Sequence, residues 1–393
     1  MASDTAPATD LSSTDFGKSL SSYWLLEEGC AYLNHGAFGA VSRPVFEGAQ
    51  KLRGHIATQP SRFMREELPG RLRASAATLG DYMGAEGEDI VFVDNATTGI
   101  NAVLRSLVLL PGDEVVTTSH AYGAVLRTLE FVCERAGARL LFADLPYPMM
   151  DPGDAVEAVT ARLSPRTRLL VIDHITSVTA LHLPVGEIIG ECGDRGIPVL
   201  VDGAHAPGIL PLELDTLGAT WYVGNCHKWL GSARGCGFIW TAKEDQKLVR
   251  PTTISHFIGQ GYTAAFDWPG TKDFAAYLSV EEAIAFRARF GEARVRDYCH
   301  ALVWQGTNLL RESWGGMLGS VEAGMTFMGT VSLPGDHKPD QATADGLRKR
   351  LRDEHDVEVE IKAFDNRLWV RACAYLYNDI SDFERLAAAA KAL

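Results

Sequence analysis

IPVLVDGAHAPGILPLELDTLGATWYVGNCHKWLGSARGCGFIWT, residues 197–241, contains three short apolar runs, each closed by small or polar turn residues. The runs are IPVLVDGA (197–204), TWYVGN (220–225) and CGFIWT (236–241). The same rhythm extends upstream through IVFVDN (90–95), EVVTTS (114–119), ARLLFADL (138–145) and RLLVIDHI (168–175), with helix-length segments between the runs. Strands that are apolar on both faces and separated by helices predict a mostly parallel sheet with helices on each side. The fold class is therefore α/β, with a doubly wound large domain built on a seven-stranded sheet. In such sheets ligands collect beyond the carboxyl ends of the strands, so the polar residues there carry the reading of function.

Asp202 ends one buried run, where an ionised carboxylate is costly without a cationic partner. Lys228 follows the next run, between His227 and Trp229 and ahead of a glycine-rich loop. A carboxylate that keeps a pyridine nitrogen protonated and a lysine that forms a Schiff base are the two groups that pyridoxal phosphate needs. Its phosphate calls for a helix N-terminus. DNATTGINA (94–102) ends one strand and opens a helix, and Ala96, Thr97 and Thr98 fall where N–H groups and hydroxyls can hold a dianion. Thr97 or Thr98 acting only as the helix's own N-cap is the competing reading of that segment.

The chain has 393 residues, 46% of them hydrophobic and 22% charged, enough to bury a large core. A formal net charge of −13 speaks against nucleic-acid or anionic-membrane partners, which need a basic surface. No stretch reaches the ~20 apolar residues of a membrane span. Residues 1–21, rich in Ser, Thr, Ala and Asp, read as a disordered leader rather than a signal peptide, and the expected location is cytoplasmic. Seven scattered cysteines without a CxxC pair argue against a disulfide framework or structural zinc, and no metal site is expected. Residues 22–272 read as the large domain, with an N-terminal segment able to pack on a smaller one. Past Asp273 the texture changes. Residues 274–312 carry long helical periodicity, then MTFMGTVSLP (325–334), VEVEIKAF (357–364) and RLWVRACAYLY (367–377) read as strands, with helices at 340–354 and 381–393. Residues 273–393 therefore read as a smaller C-terminal α+β domain.

Five segments carry a family resemblance: YLNHGAFGAVSRPV (32–45), VDNATTGINAV (93–103), DHITSVTALHLPV (173–185), VDGAHAPG (201–208) and GNCHKWLGSARGCGF (224–238). Together they resemble the class V group of fold-type I pyridoxal-phosphate enzymes, and within it the isopenicillin N epimerase-like and cysteine-conjugate C–S lyase subgroup. The likeness spans roughly residues 30–393. It implies a role for each matching residue. Lys228 would carry the cofactor as a Schiff base and then move the Cα proton, while Asp202 would pair with the pyridinium nitrogen. His205 would reach the ring's phenolic oxygen or lie beside it, and Tyr122, in SHAYGAV, would stack on the cofactor face. His227 would contact the phosphate, helped by Asn225 at a position where related sequences commonly carry Ser. Thr176 and Ser177 would lie near the cofactor hydroxyl, with one of them only capping the following turn as the competing reading. Gly270 and Thr271, in WPGTKD, match a segment that reaches the phosphate of the neighbouring subunit, which implies a homodimer with shared active sites. Arg371 would grip the substrate α-carboxylate with its planar fork. Asn34 and His35 are candidate wall residues near the substrate. Arg62 and Arg65 could reach a distal part of the substrate or the partner, or could form a solvated helix face.

The reaction depends on which acids and bases surround Cα. The family's cysteine desulfurases use a nucleophilic cysteine about a hundred residues past the lysine, and residues 305–345 hold none. Epimerisation would need a second proton donor opposite Lys228, and no residue can be assigned that task. β-Elimination needs only Lys228 as base, a positioned Cα–H and a leaving thiolate. The expectation, drawn from the subgroup resemblance, is a lyase that cleaves the C–S bond of an S-substituted L-cysteine conjugate in antibiotic biosynthesis. Isopenicillin N epimerase-type epimerisation and decarboxylative deamination of a cysteine-derived tail are the alternatives; outside the enzymes, a non-catalytic pyridoxal-phosphate-binding protein is another. A nucleotide-binding α/β protein would show a GxGxxG or GxxxxGK[ST] turn after its first strand, and neither occurs there.

Overall fold

The computed structural model describes Leu11 and residues 13–393. A short strand, β1 (Ala31–Tyr32), precedes the seven predicted runs. These form β2 (Ile90–Val93), β3 (Glu114–Thr118), β4 (Arg139–Ala143), β5 (Thr167–Asp173), β6 (Val199–Gly203), β7 (Trp221–Asn225) and β8 (Gly237–Thr241). They make one sheet in the order β2-β8-β7-β6-β5-β3-β4. All neighbours are parallel except β8, which runs antiparallel to both β2 and β7. The exception has a simple cause: only the loop 226–236 joins β7 to β8, and a parallel crossover needs a dozen residues or more.

Successive residues of single strands fall into different cores. Val91, Val93, Leu169, Val171 and Ile239 pack with Ile100, Val103, Val125 and Leu129 from helices Ala96–Ser106 and Gly123–Ala136. Their sequence neighbours Ile90, Phe92, Leu170, Ile172 and Phe238 pack with Leu72, Leu79, Ile188 and Cys192 from helices Leu68–Met83 and Val185–Gly193. Burial on both faces explains why these strands read as continuous apolar runs, each fully buried Leu, Ile, Val or Phe contributing about 1.5–3 kcal/mol.

The C-terminal strands are β9 (Met328–Ser332), β10 (Val357–Glu358), β11 (Glu360–Phe364) and β12 (Arg367–Cys373), followed by helix Ile380–Ala390. β11, β12 and β9 form an antiparallel sheet with β12 in the centre. VEVEIKAF is thus two strands rather than one. Its first residues leave the sheet to pair in parallel with β1, and its remainder turns into β12 through Asp365 and Asn366, both at positive φ as a tight hairpin requires. The long helical stretch is likewise broken, into Ala275–Leu278, Val280–Ala288 and Glu292–Trp314, with Gly291 at φ +80° before the last piece.

The leader is the main correction. Residues 1–10 and 12 lie outside the described residues, but the rest of that segment is ordered. Leu11 N–H donates to the Arg289 carbonyl, Phe16 packs on Phe290 and Tyr298, and Leu20 is buried in the turn Lys18–Tyr23. The apolar residues 11, 16 and 20 anchor the segment, a signal that the polar composition around them masked.

Candidate active site

β2, β5, β6 and β7 point the same way, so their carboxyl ends meet along one edge of the sheet. A cavity of about 280 Å³ opens there. Its walls are Asp173 from β5, Asp202 from β6, and Ala204 and His205 from the turn beyond; Asn225 at the end of β7, with His227 and Lys228 after it; Asn95, Ala96 and Thr97 after β2; and Tyr122, Ser177, Ala37 and Phe38. Loop segments hold this edge closely. A Cβ on Gly39, at φ +69°, would meet the His227 carbonyl oxygen at 2.0 Å, so only glycine lets the N-terminal turn approach the lysine loop.

Lys228 Nζ lies 3.2 Å from Nε2 of His205, and Trp229 Nε1 donates to Nδ1 of the same ring at 3.2 Å. An indole N–H can only donate, so Nδ1 carries the lone pair and a neutral His205 has its proton on Nε2, facing the lysine. Burial holds that imidazole well below its usual pKa. The arrangement is satisfied by a neutral Lys228 amine, and burial followed by the nearby Arg371 charge draws the lysine down to about 8. Asp202 opposes that shift and is itself raised by burial, although its Oδ1 accepts the Ala204 N–H at 3.0 Å.

The phosphate-side residues divide. Asn95 caps its helix by accepting the Thr98 N–H at 2.9 Å, and Asn225 Oδ1 takes the Ala96 N–H at 2.8 Å. Thr97 keeps the first-turn N–H that has no protein partner among the described residues. Thr98 lies on a different cleft, with Lys272 and Tyr277, and is withdrawn as a cavity residue. Nδ1–H of His227 donates to the Cys236 carbonyl at 2.8 Å, so its Nε2 can give a proton to an anion only when the ring is protonated.

Several expected contacts lie one layer back. Thr176 does not line the cavity: its hydroxyl is engaged by Thr179 at 2.7 Å and by the Leu181 N–H at 2.8 Å, closing the turn after β5, while its neighbour Ser177 is on the wall. His35 is fully buried between the Tyr377 hydroxyl at 2.9 Å and the Lys228 carbonyl at 3.0 Å, and stacks on Tyr375; it braces the lysine from behind instead of facing substrate. Asn34 is also buried, bound to Glu358 and to Arg371. Gly270 and Thr271 stand outside their own chain's cavity, and Arg62 is exposed beside Glu67. Arg65 is exposed on the same helical stretch, away from the cavity.

Arg371 occupies the central strand β12 and is 3% exposed. It donates to the Ser177 carbonyl behind the cavity wall, while its Nε has no protein acceptor. An orphaned buried guanidinium nitrogen is costly unless an anion completes it. Sequence reasoning missed Asp173, Asn95 and Phe38. Asn95 was signalled by its N-cap chemistry and Asp173 by ending its strand as Asp202 does; nothing marked Phe38, which is 69% exposed at the cavity wall. The donor set, a lysine and a carboxylate in one cavity with a free helix amide beside them, fits pyridoxal phosphate.

The aminotransferase class-V family model matches residues 58–386. Isopenicillin N epimerase of Amycolatopsis lactamdurans is 31% identical over 395 residues, covering 94% of this chain and 96% of that protein. Putative L-cysteine desulfhydrase 1 of Oryza sativa subsp. japonica is 31% identical over 398 residues, covering 92% and 82%. The cystine C–S lyase C-DES, solved with its reaction product cysteine persulfide, matches in fold with TM-score 0.78 at 21% identity, over 92% of this chain and 97% of that one. The chain belongs to the aminotransferase class-V family and is a pyridoxal-phosphate-dependent enzyme of the fold-type I architecture.

Proposed function

We propose that this enzyme cleaves the C–S bond of an S-substituted L-cysteine by β-elimination, releasing a thiol and an enamine that water hydrolyses to ammonia and pyruvate. The observation that carries the reading is Lys228, a buried amine drawn down to about 8 in a cavity backed by Arg371, whose Nε has no protein acceptor. Bound there, pyridoxal phosphate supplies an electron sink for the pair left at the substrate's Cα. Lys228 takes the Cα proton, which one neutral amine suffices to do. Asp202 provides the negative charge for the ring nitrogen, Thr97 and Asn225 provide polar groups for the phosphate, and His227 joins them in its protonated form. Arg371 holds the α-carboxylate by a charge-assisted contact.

Relatives named as L-cysteine desulfhydrase and cystine C–S lyase support a sulfur leaving group. Among the described residues lining the cavity there is no cysteine to accept a sulfur atom, which favours direct release. Phe38 and Tyr122, 69% and 42% exposed, give the walls an apolar rim suited to a bulky S-linked group, as in conjugates of antibiotic assembly. We further assign the working unit to a cytoplasmic homodimer, in which Gly270 and Thr271 serve the partner's site.

The test is to incubate the loaded enzyme with L-cysteine and S-substituted L-cysteines and to assay pyruvate, ammonia and the D-epimer. Pyruvate formation that Lys228→Ala abolishes is the expected result. A D-epimer produced without pyruvate would replace elimination by epimerisation.

A further inference from the structure

β5 and β6 run parallel with Asp173 directly opposite Asp202. Residues paired in this way project from the same side of a sheet, so two carboxyls emerge next to each other at its carboxyl edge. Each is 4% exposed, and each is on the wall of the Lys228 cavity. Asp202 has the Ala204 N–H, while Asp173 is met by its own backbone N–H and that of Tyr122. No arginine or lysine pairs with either carboxyl within salt-bridge distance among the described residues. Two carboxylates sharing one buried site repel too strongly for both to ionise.

We propose that Asp173 is a positioning residue that keeps its proton at neutral pH, so that the two carboxyls form a pair carrying one negative charge, reserved for Asp202. Burial raises both groups, and the charge on Asp202 raises Asp173 further, well above the usual carboxylate range. The surrounding charges agree. Lys228 attracts both carboxyls but is itself drawn toward neutrality, Tyr222 beside Asp202 keeps its proton, and burial holds His174 and His205 neutral. Arg371 behind the cavity is the cation of this set that does not titrate, while Lys228 gives up its proton only near pH 8. A protonated Asp173 also keeps the Tyr122 backbone in place without adding a second charge under the ring nitrogen. Only this last consequence rests on the proposed placement of the cofactor; the shared proton does not.

The experiment uses infrared spectroscopy of the full-length protein at neutral pH, with and without cofactor, and thermal unfolding from pH 4 to 8. A carboxyl whose folded pKa is raised costs stability as pH climbs from its unfolded value, ~3.9, through the folded one. Wild type should therefore show the carbonyl stretch of a protonated carboxyl, and its stability relative to Asp173→Asn should fall across that window. Asp173→Asn, which keeps the shape and has no proton to lose, should lose that component of the band and gain stability relative to wild type as pH rises. Wild type without a protonated-carboxyl band overturns the proposal even if the variant does not fold. A folded Asp173→Asn that retains both the band and the wild-type slope overturns it equally. A protein that never acquires a cofactor absorbance would refute the proposed function and leave these readings of the pair intact.

Discussion

Lys228 is buried between groups of opposite effect: Arg371 pushes its proton off and Asp202 draws it back. Burial decides the balance, because removing an ammonium from water costs more than the carboxylate returns. The base must be the neutral amine, so its reactive fraction grows as pH rises toward about 8 and levels off above it. Turnover at saturating substrate, where Lys228 is the free amine, should climb close to tenfold per pH unit below that midpoint. An ascending limb centred near the ordinary lysine value of 10.5 would contradict the assignment of Lys228 as base. At this scale the sequence showed which residue types end each strand, since the motif spells them out. It could not show that His35 supports the lysine carbonyl or that Thr176 closes a turn, because those depend on partners more than 100 residues away or on the fold of the loop itself.

Strand ends and the loops beyond them bear the site, and the elements around them hold those loops fixed. Arg287, on helix Val280–Ala288, is fully buried with its guanidinium paired to Glu292 at 2.8 Å. It also donates to the Trp229 carbonyl at 3.0 Å and to the Gly208 carbonyl, tying the lysine loop to the turn that follows Asp202 and His205. Arg287→Met would leave the Gly208 carbonyl without a donor, while the Trp229 carbonyl keeps the Tyr375 hydroxyl at 3.2 Å, and an unsatisfied buried acceptor costs about 1–3 kcal/mol. The expected outcome is a lower unfolding midpoint together with weaker cofactor retention; an unchanged midpoint would show that the loops are held by other contacts. The elements themselves were legible because both-face burial writes an apolar run into the inner strands of the sheet, while the edge strand β4 keeps the run with only its last residue buried. The split of VEVEIKAF was not, since pairing with β1 is set by a segment more than 300 residues earlier.

At the level of the molecule, a chain with net charge −13 surrounds a site to which the proposed function assigns two small anions, a phosphate and a carboxylate. Gly270 and Thr271 have no place in their own chain's cavity, and Ile254, Phe257 and Ile258 form an exposed apolar group on the preceding loop. Burying such a group against a second copy removes apolar area from water, at about 25 cal/mol per Å². Sedimentation should give the mass of two chains, and Ile254→Asp combined with Phe257→Asp should shift it toward one. A wild-type mass of a single chain would end the shared-site proposal.

The sequence by itself determined the seven strands, the family and the lysine and carboxylate at neighbouring strand ends, because those features are written in local composition and spacing. Only the tertiary structure decided which of the polar residues face the cavity, that the leader packs from Leu11 onward, and that Asp173 stands opposite Asp202. Register between strands, burial and the resulting competition for protons arise from contacts between distant segments, and no local stretch of sequence encodes them.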